Sequence, residues 1–299
     1  MIKADLHLHT TYSDGDLSPH EIVARAASLG YSQVSVTDHD TIAGVEEAID
    51  AGDKLGVSVV PGVEITLRFV RDFFVGSLHL LVYFPASLLC SSSFVSELYA
   101  VVSQGRGLPL VEERVSRINS EFGPRGRNPL LSNPLEVSSI ANLARNISRR
   151  HFARALSEVH GLSPSQVTSV IGNSSPAYVP SGVDLSLLVP LFRSYPVVPV
   201  LAHPAAGSYP GSSHYKEVLP PFSTVVRVLP ELLEAGLMGL EVYYPGHTAS
   251  HEASLYSLAV SLGLAITGGS DCHDGSSRPI GGSGLPASLD FAVLFHEFS

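Results

Sequence analysis

The chain opens with Asp5-Leu6-His7-Leu8-His9-Thr10-Thr11-Tyr12-Ser13-Asp14-Gly15, behind Ile2-Lys3-Ala4. So short a lead can only begin a strand. Strand side chains alternate between faces, so His7 and His9 point the same way. Two imidazoles on one face, followed by a carboxylate in a turn, are the beginning of a metal site. In a chain with 13 histidines such a pair can also be coincidence, so the remaining sequence decides.

Downstream, strand and helix patterns alternate. Ser18-Pro19-His20-Glu21 is a capping box with proline at the first helical position. The helix runs through Ile22, Val23, Ala26, Ala27 and Leu29 to a stop at Gly30. Gln33–Thr37 reads as a strand, Ile42–Leu55 as a helix ended by Gly56, and Val57–Pro61 as a strand. This is the alternation of a parallel sheet with covering helices. Glu64–Val70 and Ser77–Phe84 have no helix between them and read as an extended arm or hairpin.

From 91 to 195 the alternation lapses. Helical spacing recurs at Val115, Ile118 and Phe122, at Val137, Ile140, Leu143 and Ile147, across Arg149–Glu158, and after Ser163-Pro164. The stretch predicts a mostly helical insertion of roughly 100 residues, the size of a small domain. Strands then return at Val197–Ala202, Gly239–Tyr243 and Leu264–Thr267, with helices at Thr224–Ala235 and His251–Leu262. The count is about seven strands, near the eight of a closed β/α barrel. The expected organisation is α/β, with 1–90 and 196–299 as the barrel and 91–195 as an insertion covering the site.

Hydrophobic residues make up 44% of the 299, which predicts a folded globular chain. No apolar run reaches the roughly 18 residues of a membrane span, so no membrane partner is expected. The start has neither a charged nor an apolar signal region, and Cys90 and Cys272 make no disulfide framework. The cytoplasm is therefore the expected compartment. Cys272, between Asp271 and His273, reads as a small buried neighbour. The formal net charge of −10 argues against a broad basic surface for long nucleic acid. It still admits an anionic substrate, because bound divalent cations reverse the local field.

The polar residues follow the strands. His7 and His9 stand at the end of the first, Asp38-His39-Asp40 after the second, and Glu64 after the third. His203-Pro204 follows Val197–Ala202, and Asp271, His273 and Asp274 follow Leu264–Thr267. Sites in α/β barrels and open sheets gather at these carboxyl ends. His79 instead begins its strand, so the arm must fold back to bring it near. Each motif alone is more often a capped loop than a ligand. Together, unpaired carboxylates and imidazoles on one rim would be costly unless they share a metal. Glu64 has two oxygens and can bridge two ions, and mixed His/Asp/Glu ligands suit Zn, Mn or Fe.

The set HLHTTYSDG, TDHD, PGVE, HLLVYF, AHP and GSDCH resembles the PHP family, named for polymerase and histidinol phosphatase. The resemblance covers about residues 1–85 and 196–285. It implies a distorted seven-stranded, TIM-like β/α barrel with two or three divalent metals. It implies His7, His9, Glu64 and Asp271 as ligands of one metal. Glu64, His79 and His203 are implied for a second, and Asp14, His39 and His273 for a third. The helical insertion resembles that of bacterial phosphoesterases acting on nucleoside 3′,5′-bisphosphates or RNA 5′ ends. Those carry a G-R-P-H-hydrophobic-A segment in the inserted domain. Here the segment is Ser148-Arg149-Arg150-His151-Phe152-Ala153, which keeps His and Ala but not Gly and Pro.

Arg149, Arg150 and His151 are accordingly candidates for substrate binding. The two arginines are also the most concentrated positive charge in an acidic chain, and the guanidinium fork suits phosphate. A solvated helix face is the plainer alternative. Tyr243, Tyr244 and His247 follow another strand end and can line a base or phosphate pocket. His20, His160, His214, His251 and His296 read as surface or capping residues. The expected activity is hydrolysis of a small phosphorylated substrate, a nucleotide or short oligonucleotide, by a metal-activated water with no protein base assigned. Histidinol-phosphate hydrolysis is an alternative that the insertion disfavours. A non-enzymatic metal-binding regulatory domain is another, disfavoured because every ligand position is filled.

Overall fold

The computed structural model describes residues 2–143, 147–211, 219–274 and 278–286. Strand β1 (Ile2–Leu8) pairs in parallel with β2 (Gln33–Val36), and β2 with β3 (Ser58–Val59). The crossovers are helices α1 (Pro19–Ser28) and α2 (Val45–Leu55). Their limits follow local chemistry. Ser18 N donates to Glu21 Oε2 at 2.8 Å and Glu21 N to Ser18 Oγ at 3.3 Å, which satisfies amides that the first helical turn leaves open. Gly56 ends α2 with a φ of 73°, a left-handed conformation that glycine adopts without strain.

Only Val60 and Pro61 separate β3 from β4 (Gly62–Arg71). A parallel neighbour needs a crossover of about a dozen residues or more, so β4 cannot continue the parallel series. It begins a second sheet instead, turning at Asp72-Phe73 into the antiparallel β5 (Phe74–Tyr83). In this hairpin Thr66 lies opposite His79, so the arm folds back as the sequence requires.

Among the described residues, six α-helices then precede β6 (Val198–Leu201): α3 (Ser92–Val102), α4 (Leu108–Phe122), α5 (Val137–Ala141), α6 (Arg149–Glu158), α7 (Pro164–Ile171) and α8 (Val189–Ser194). Helix α5 is shorter than the spacing through Leu143 and Ile147 suggests. Helix α9 (Phe222–Ala235) leads to β7 (Gly239–Tyr243), and α10 (Ala249–Leu262) to β8 (Ala265–Gly268). A two-residue β9 (Leu285–Pro286) returns antiparallel to β1.

The described residues thus form a mixed α/β fold with two sheets, β3-β2-β1-β9 and β4-β5-β6-β7-β8. This differs from the expected single ring of seven strands. The expected hairpin opens a second sheet instead of joining one ring, and β9 is an antiparallel strand that the sequence reading did not include. The sheets are also not laddered together where the ring would close. Isolated bridges join Leu8 to Cys272 and His39 to Glu64 at that junction.

Ala4, Leu6, Leu81, Tyr83, Val198 and Val200 pack between the sheets, and Tyr83 Oη donates to Leu6 O at 2.8 Å. Helices α1 and α2 bury Ile22, Val23, Ala48 and Ala51 against Val34 and Val36. A third core gathers the second sheet with Val228, Leu232 and Leu255, and also with Phe94, Leu98, Leu188 and Leu191. Helices α3 and α8 therefore pack on the sheet. A separate core between Val111 and Ala177 belongs to α4–α7. The chain enters and leaves this helical lobe at Gly105 and Gly182, where Gly182 N donates to Gly105 O at 3.0 Å. A Cβ on Gly105 would stand 2.3 Å from the Gly182 carbonyl carbon, so glycine is what lets the two segments touch. No helix among the described residues is long and apolar enough to cross a membrane.

The tightest join between β8 and β1 is also backbone-on-backbone. A Cβ on Gly269 would lie 2.4 Å from His7 Cβ and 2.7 Å from His7 N. Gly269→Ala is expected to destabilise the fold by about 1–3 kcal/mol through overpacking. Urea unfolding measures this as a lower midpoint at constant slope. An unchanged midpoint would mean that the loop has room to move away from His7.

Candidate metal centre

The strand ends converge on Glu64, which is 1% exposed near the start of β4. Its Oε2 lies 3.4 Å from His7 Nε2, 3.1 Å from His9 Nε2 and 3.0 Å from His39 Nδ1. Its Oε1 lies 2.8 Å from His79 Nδ1 and 3.2 Å from His203 Nε2. Asp271 Oδ1 lies 3.5 Å from His7 Nε2 and 3.2 Å from His9 Nε2, and those two nitrogens are 3.2 Å apart. Ligand atoms about 2.1 Å from one ion stand roughly 3.0–3.4 Å from each other, so His7, His9, Glu64 and Asp271 have the spacing of one coordination shell.

A metal also explains an orphan. Glu64 Oε2 is buried among imidazole nitrogens, yet none meets it with hydrogen-bond geometry. Lone pairs aimed at a shared cation, rather than at each other, produce that arrangement.

Two further groups have ligand atoms within 4.8 Å of one another. One is His39, Glu64 and His79; the other is His9, Asp14, His39 and His273. The first of these brings in His39, while His203 Nε2 reaches the same Glu64 Oε1 as His79 Nδ1, at 3.2 Å, from a backbone with φ 36°. The third set gains His9 beside the implied Asp14, His39 and His273. All nine expected residues are drawn to one cluster.

Supporting contacts set the ring orientations. His7 Nδ1 meets Glu241 Oε1 at 3.0 Å and His273 Nδ1 meets the Asp271 carbonyl at 2.9 Å, which turns each Nε2 inward. Glu241 Oε2 also accepts from His203 N at 2.8 Å. Asp38 accepts from Thr10 N at 2.7 Å and Thr10 Oγ1 at 2.6 Å, fixing the turn that carries Asp14. Asp40 accepts from Thr66 N at 2.9 Å and pairs with Arg106. Asp5 Oδ1 accepts from Ser270 N at 2.9 Å and so ties β1 to the Asp271 loop. Asp40 and Asp271 have φ of 52° and 51°, a strained region for side-chain-bearing residues that here aims groups at the cluster.

The local field favours cations. Burial opposes the charge of Glu64, but His39, His79 and His7 hold its carboxyl well below the usual range. Asp14 and Asp271 are likewise held low against burial, by His39 and His273 for the first and by Arg278 and His7 for the second. Burial also opposes a charged His273, yet Asp271 and Asp14 push it up to about 10. His39 goes the other way: burial drives it well down despite the opposing pull of Glu64 and Asp14.

The substrate candidates divide. Arg149 and Arg150 line a cleft of about 940 Å³ that runs from the cluster to the helical lobe. Arg150 Nη1 donates to Asp14 O at 3.4 Å, and Arg149 lies over the Tyr178 ring at 5.5 Å. His151 and His247 do not line that cleft. His151 Nδ1 accepts from Ser148 N at 2.9 Å, because the open end of α6 recruits it as a cap. His247 Nδ1 donates to Val242 O at 2.8 Å and Nε2 accepts from Ala205 N at 3.2 Å. Burial pushes its imidazole down to about 4, as suits a neutral ring that braces the His203 loop.

Tyr244 lines the cleft and Tyr243 belongs to the second sheet's packing. Cys272 is buried, with Sγ 3.4 Å from Asp274 O, as expected. His251 sits at the third position of the α10 capping box, while His214 and His296 lie outside the described residues.

The sequence reading missed Glu241, Arg106, Arg114 and Arg278. Glu241 had a signal, a carboxylate inside the apolar run Gly239-Leu240-Glu241-Val242. A buried charge in a strand needs a partner. Arg106 stands between Gly105 and Gly107, a weaker hint of close packing.

Known proteins bear on this geometry. The PHP domain matches residues 5–126, the span that holds His7 through His79. A phosphoribosyl 1,2-cyclic phosphate 1,2-diphosphodiesterase from Eggerthella lenta is 30% identical over 95% of this chain and 99% of its own. A 3′,5′-nucleoside bisphosphate phosphatase from Chromobacterium violaceum is 26% identical over 91% of this chain and 88% of its own. The crystal structure of a Bifidobacterium adolescentis protein assigned to the metal-dependent phosphoesterases has the same fold, with a TM-score of 0.68, 24% identity and 98% of each chain covered. With its His/Asp/Glu cluster built on the matched motifs and a relative aligned end to end, the chain belongs to the PHP domain family.

Proposed function

We propose that the protein is a metal-dependent phosphoesterase that hydrolyses phosphate esters of small nucleotides, nucleoside 3′,5′-bisphosphates or short 5′-phosphorylated oligonucleotides. One observation carries this reading. A cluster of His, Asp and Glu side chains shares one cleft with the guanidiniums of Arg149 and Arg150. The relatives from Eggerthella lenta and Chromobacterium violaceum, whose names describe phosphoester hydrolysis, support it.

His7, His9, Glu64 and Asp271 would hold one ion, and Asp14, His39, His79, His203 and His273 would complete two or three sites. Mn, Zn and Fe all suit these ligands. When bound, such ions supply positive charge for phosphate oxygens and a water acidic enough to ionise near neutral pH. The protein's own groups do the rest. Arg150, beside Asp14, presents donors to a phosphate entering the cleft. Arg149, stacked on Tyr178, is held toward the same space. Within the 91–195 insertion, the helical lobe between Gly105 and Gly182 would form the roof that excludes bulk water, over a distorted barrel made by the two sheets. No side chain is assigned as general acid or base. The two free cysteines, Cys90 and Cys272, are consistent with a cytoplasmic setting.

Phosphate release from adenosine 3′,5′-bisphosphate with Mn²⁺, with and without chelator, tests the proposal. Release that needs the metal is expected, and no release from this or other small phosphoesters would sink it. Ribosyl cyclic phosphates and a length series of 5′-phosphorylated oligonucleotides, run in parallel, identify the preferred ester. His7→Ala should abolish release together with one equivalent of bound metal. Full activity in that variant would refute the ligand assignment. Arg150→Ala should raise KM about tenfold or more with a smaller change in kcat, as expected for loss of a charged hydrogen bond to substrate. An unaltered KM would return Arg150 to the solvated helix face.

A further inference from the structure

Asp271 differs from Glu64 in how its two oxygens are used. Glu64 turns both toward imidazoles, as a bridging ligand must. Asp271 turns Oδ1 toward His7 and His9, but its Oδ2 is engaged by the protein. Tyr244 Oη donates to Oδ2 at 2.9 Å, and Arg278 Nη1 pairs with the same oxygen. Arg278 Nη1 also donates to Tyr244 Oη at 3.3 Å, so the two donors brace each other. Tyr244 is 2% exposed and stands just past β7, with its ring 5.2 Å from that of His203. The strained backbone of Asp271 is held by its amide on His7 O at 2.8 Å. Neither the backbone nor the side chain of Asp271 is therefore free to rotate.

We infer that Tyr244 and Arg278 are positioning residues that restrict Asp271 to one-oxygen ligation and thereby set the metal preference of the centre. The inference rests on the metal-centre reading above and adds to it a determinant of metal identity. A carboxylate with both oxygens free can chelate a large, oxygen-seeking cation such as Ca²⁺, which takes six to eight oxygen ligands and accepts bidentate carboxylates. A carboxylate with one oxygen committed elsewhere offers a single donor, which suits a smaller ion that shares its shell with imidazoles. The guanidinium also draws charge from the carboxylate, which weakens it most for a cation that depends on oxygen alone.

The test uses the full chain stripped of metal and titrated by calorimetry with Mn²⁺ alone and with Ca²⁺ alone. Wild type is compared with Tyr244→Phe, Arg278→Gln and Arg278→Lys. The decisive quantity is the ratio of the Ca²⁺ to the Mn²⁺ dissociation constant. It is expected to fall about tenfold in Tyr244→Phe and Arg278→Gln, the lower end of effects seen for groups that orient metal ligands, and to recover in part in Arg278→Lys. A purely structural role would weaken both metals together and leave the ratio unchanged. An unchanged ratio in Tyr244→Phe and Arg278→Gln, with metal-free melting temperatures matching wild type, overturns the inference. Should one of these two variants melt early, the ratio in the other decides, and a wild-type ratio there overturns the inference. Because the readout is metal binding and not phosphate release, this inference and the phosphoesterase reading fail separately.

Discussion

The Glu64 carboxylate is the point on which the fold turns. It is buried where the two sheets meet, and five imidazoles approach its oxygens. A buried carboxylate costs several kcal/mol unless it is matched by positive charge or by donors. The backbone around it is arranged to keep that match. Glu64 N donates to Thr37 O at 3.1 Å and Asp40 N to Glu64 O at 2.9 Å, the contact that bridges the first sheet to the second. Closing the fold and assembling the cluster are therefore the same event.

Around this centre the protein spends further carboxylates on position rather than ligation. Asp5, Asp38, Asp40 and Glu241 are all buried and hold loops or rings at the rim. Three residues in left-handed backbone, Asp40, His203 and Asp271, lie on the same rim. Such strain persists only where surrounding contacts over-determine it. The interior packing of Leu6, Leu81, Tyr83 and Val200 supplies a floor rigid enough to do so.

The electrostatics resolve an apparent conflict between composition and site. The chain carries a formal net charge of −10, yet Arg106, Arg114, Arg149, Arg150 and Arg278 all border the cleft. Net charge governs long-range attraction and solubility, whereas recognition depends on groups within a few ångströms. Arg106 is matched by Asp40 and Arg278 by Asp271, while Arg149 and Arg150 contact an aromatic face and a backbone carbonyl. The helical lobe carries them outside its own core, on the part that lines the cleft.

By itself the sequence determined what is set by neighbours within a few residues. The shared face of His7 and His9, the Ser18–Glu21 box, the stop at Gly56 and the delivery of polar residues to strand ends all follow from short-range periodicity and hydrogen bonding. The residues that converge on Glu64 were legible because each motif sits on such an element. Tertiary structure decided what depends on partners distant in the chain. Two residues between β3 and β4 forced a second sheet and a hairpin, and that hairpin delivers His79. Packing gave His151 to a helix end and His247 to two backbone groups, because an open amide or carbonyl at those places had no nearer partner. It also brought Glu241 to His7 and Arg278 to Asp271, pairings that no local pattern encodes, since a buried charge must take whatever the folded chain sets beside it.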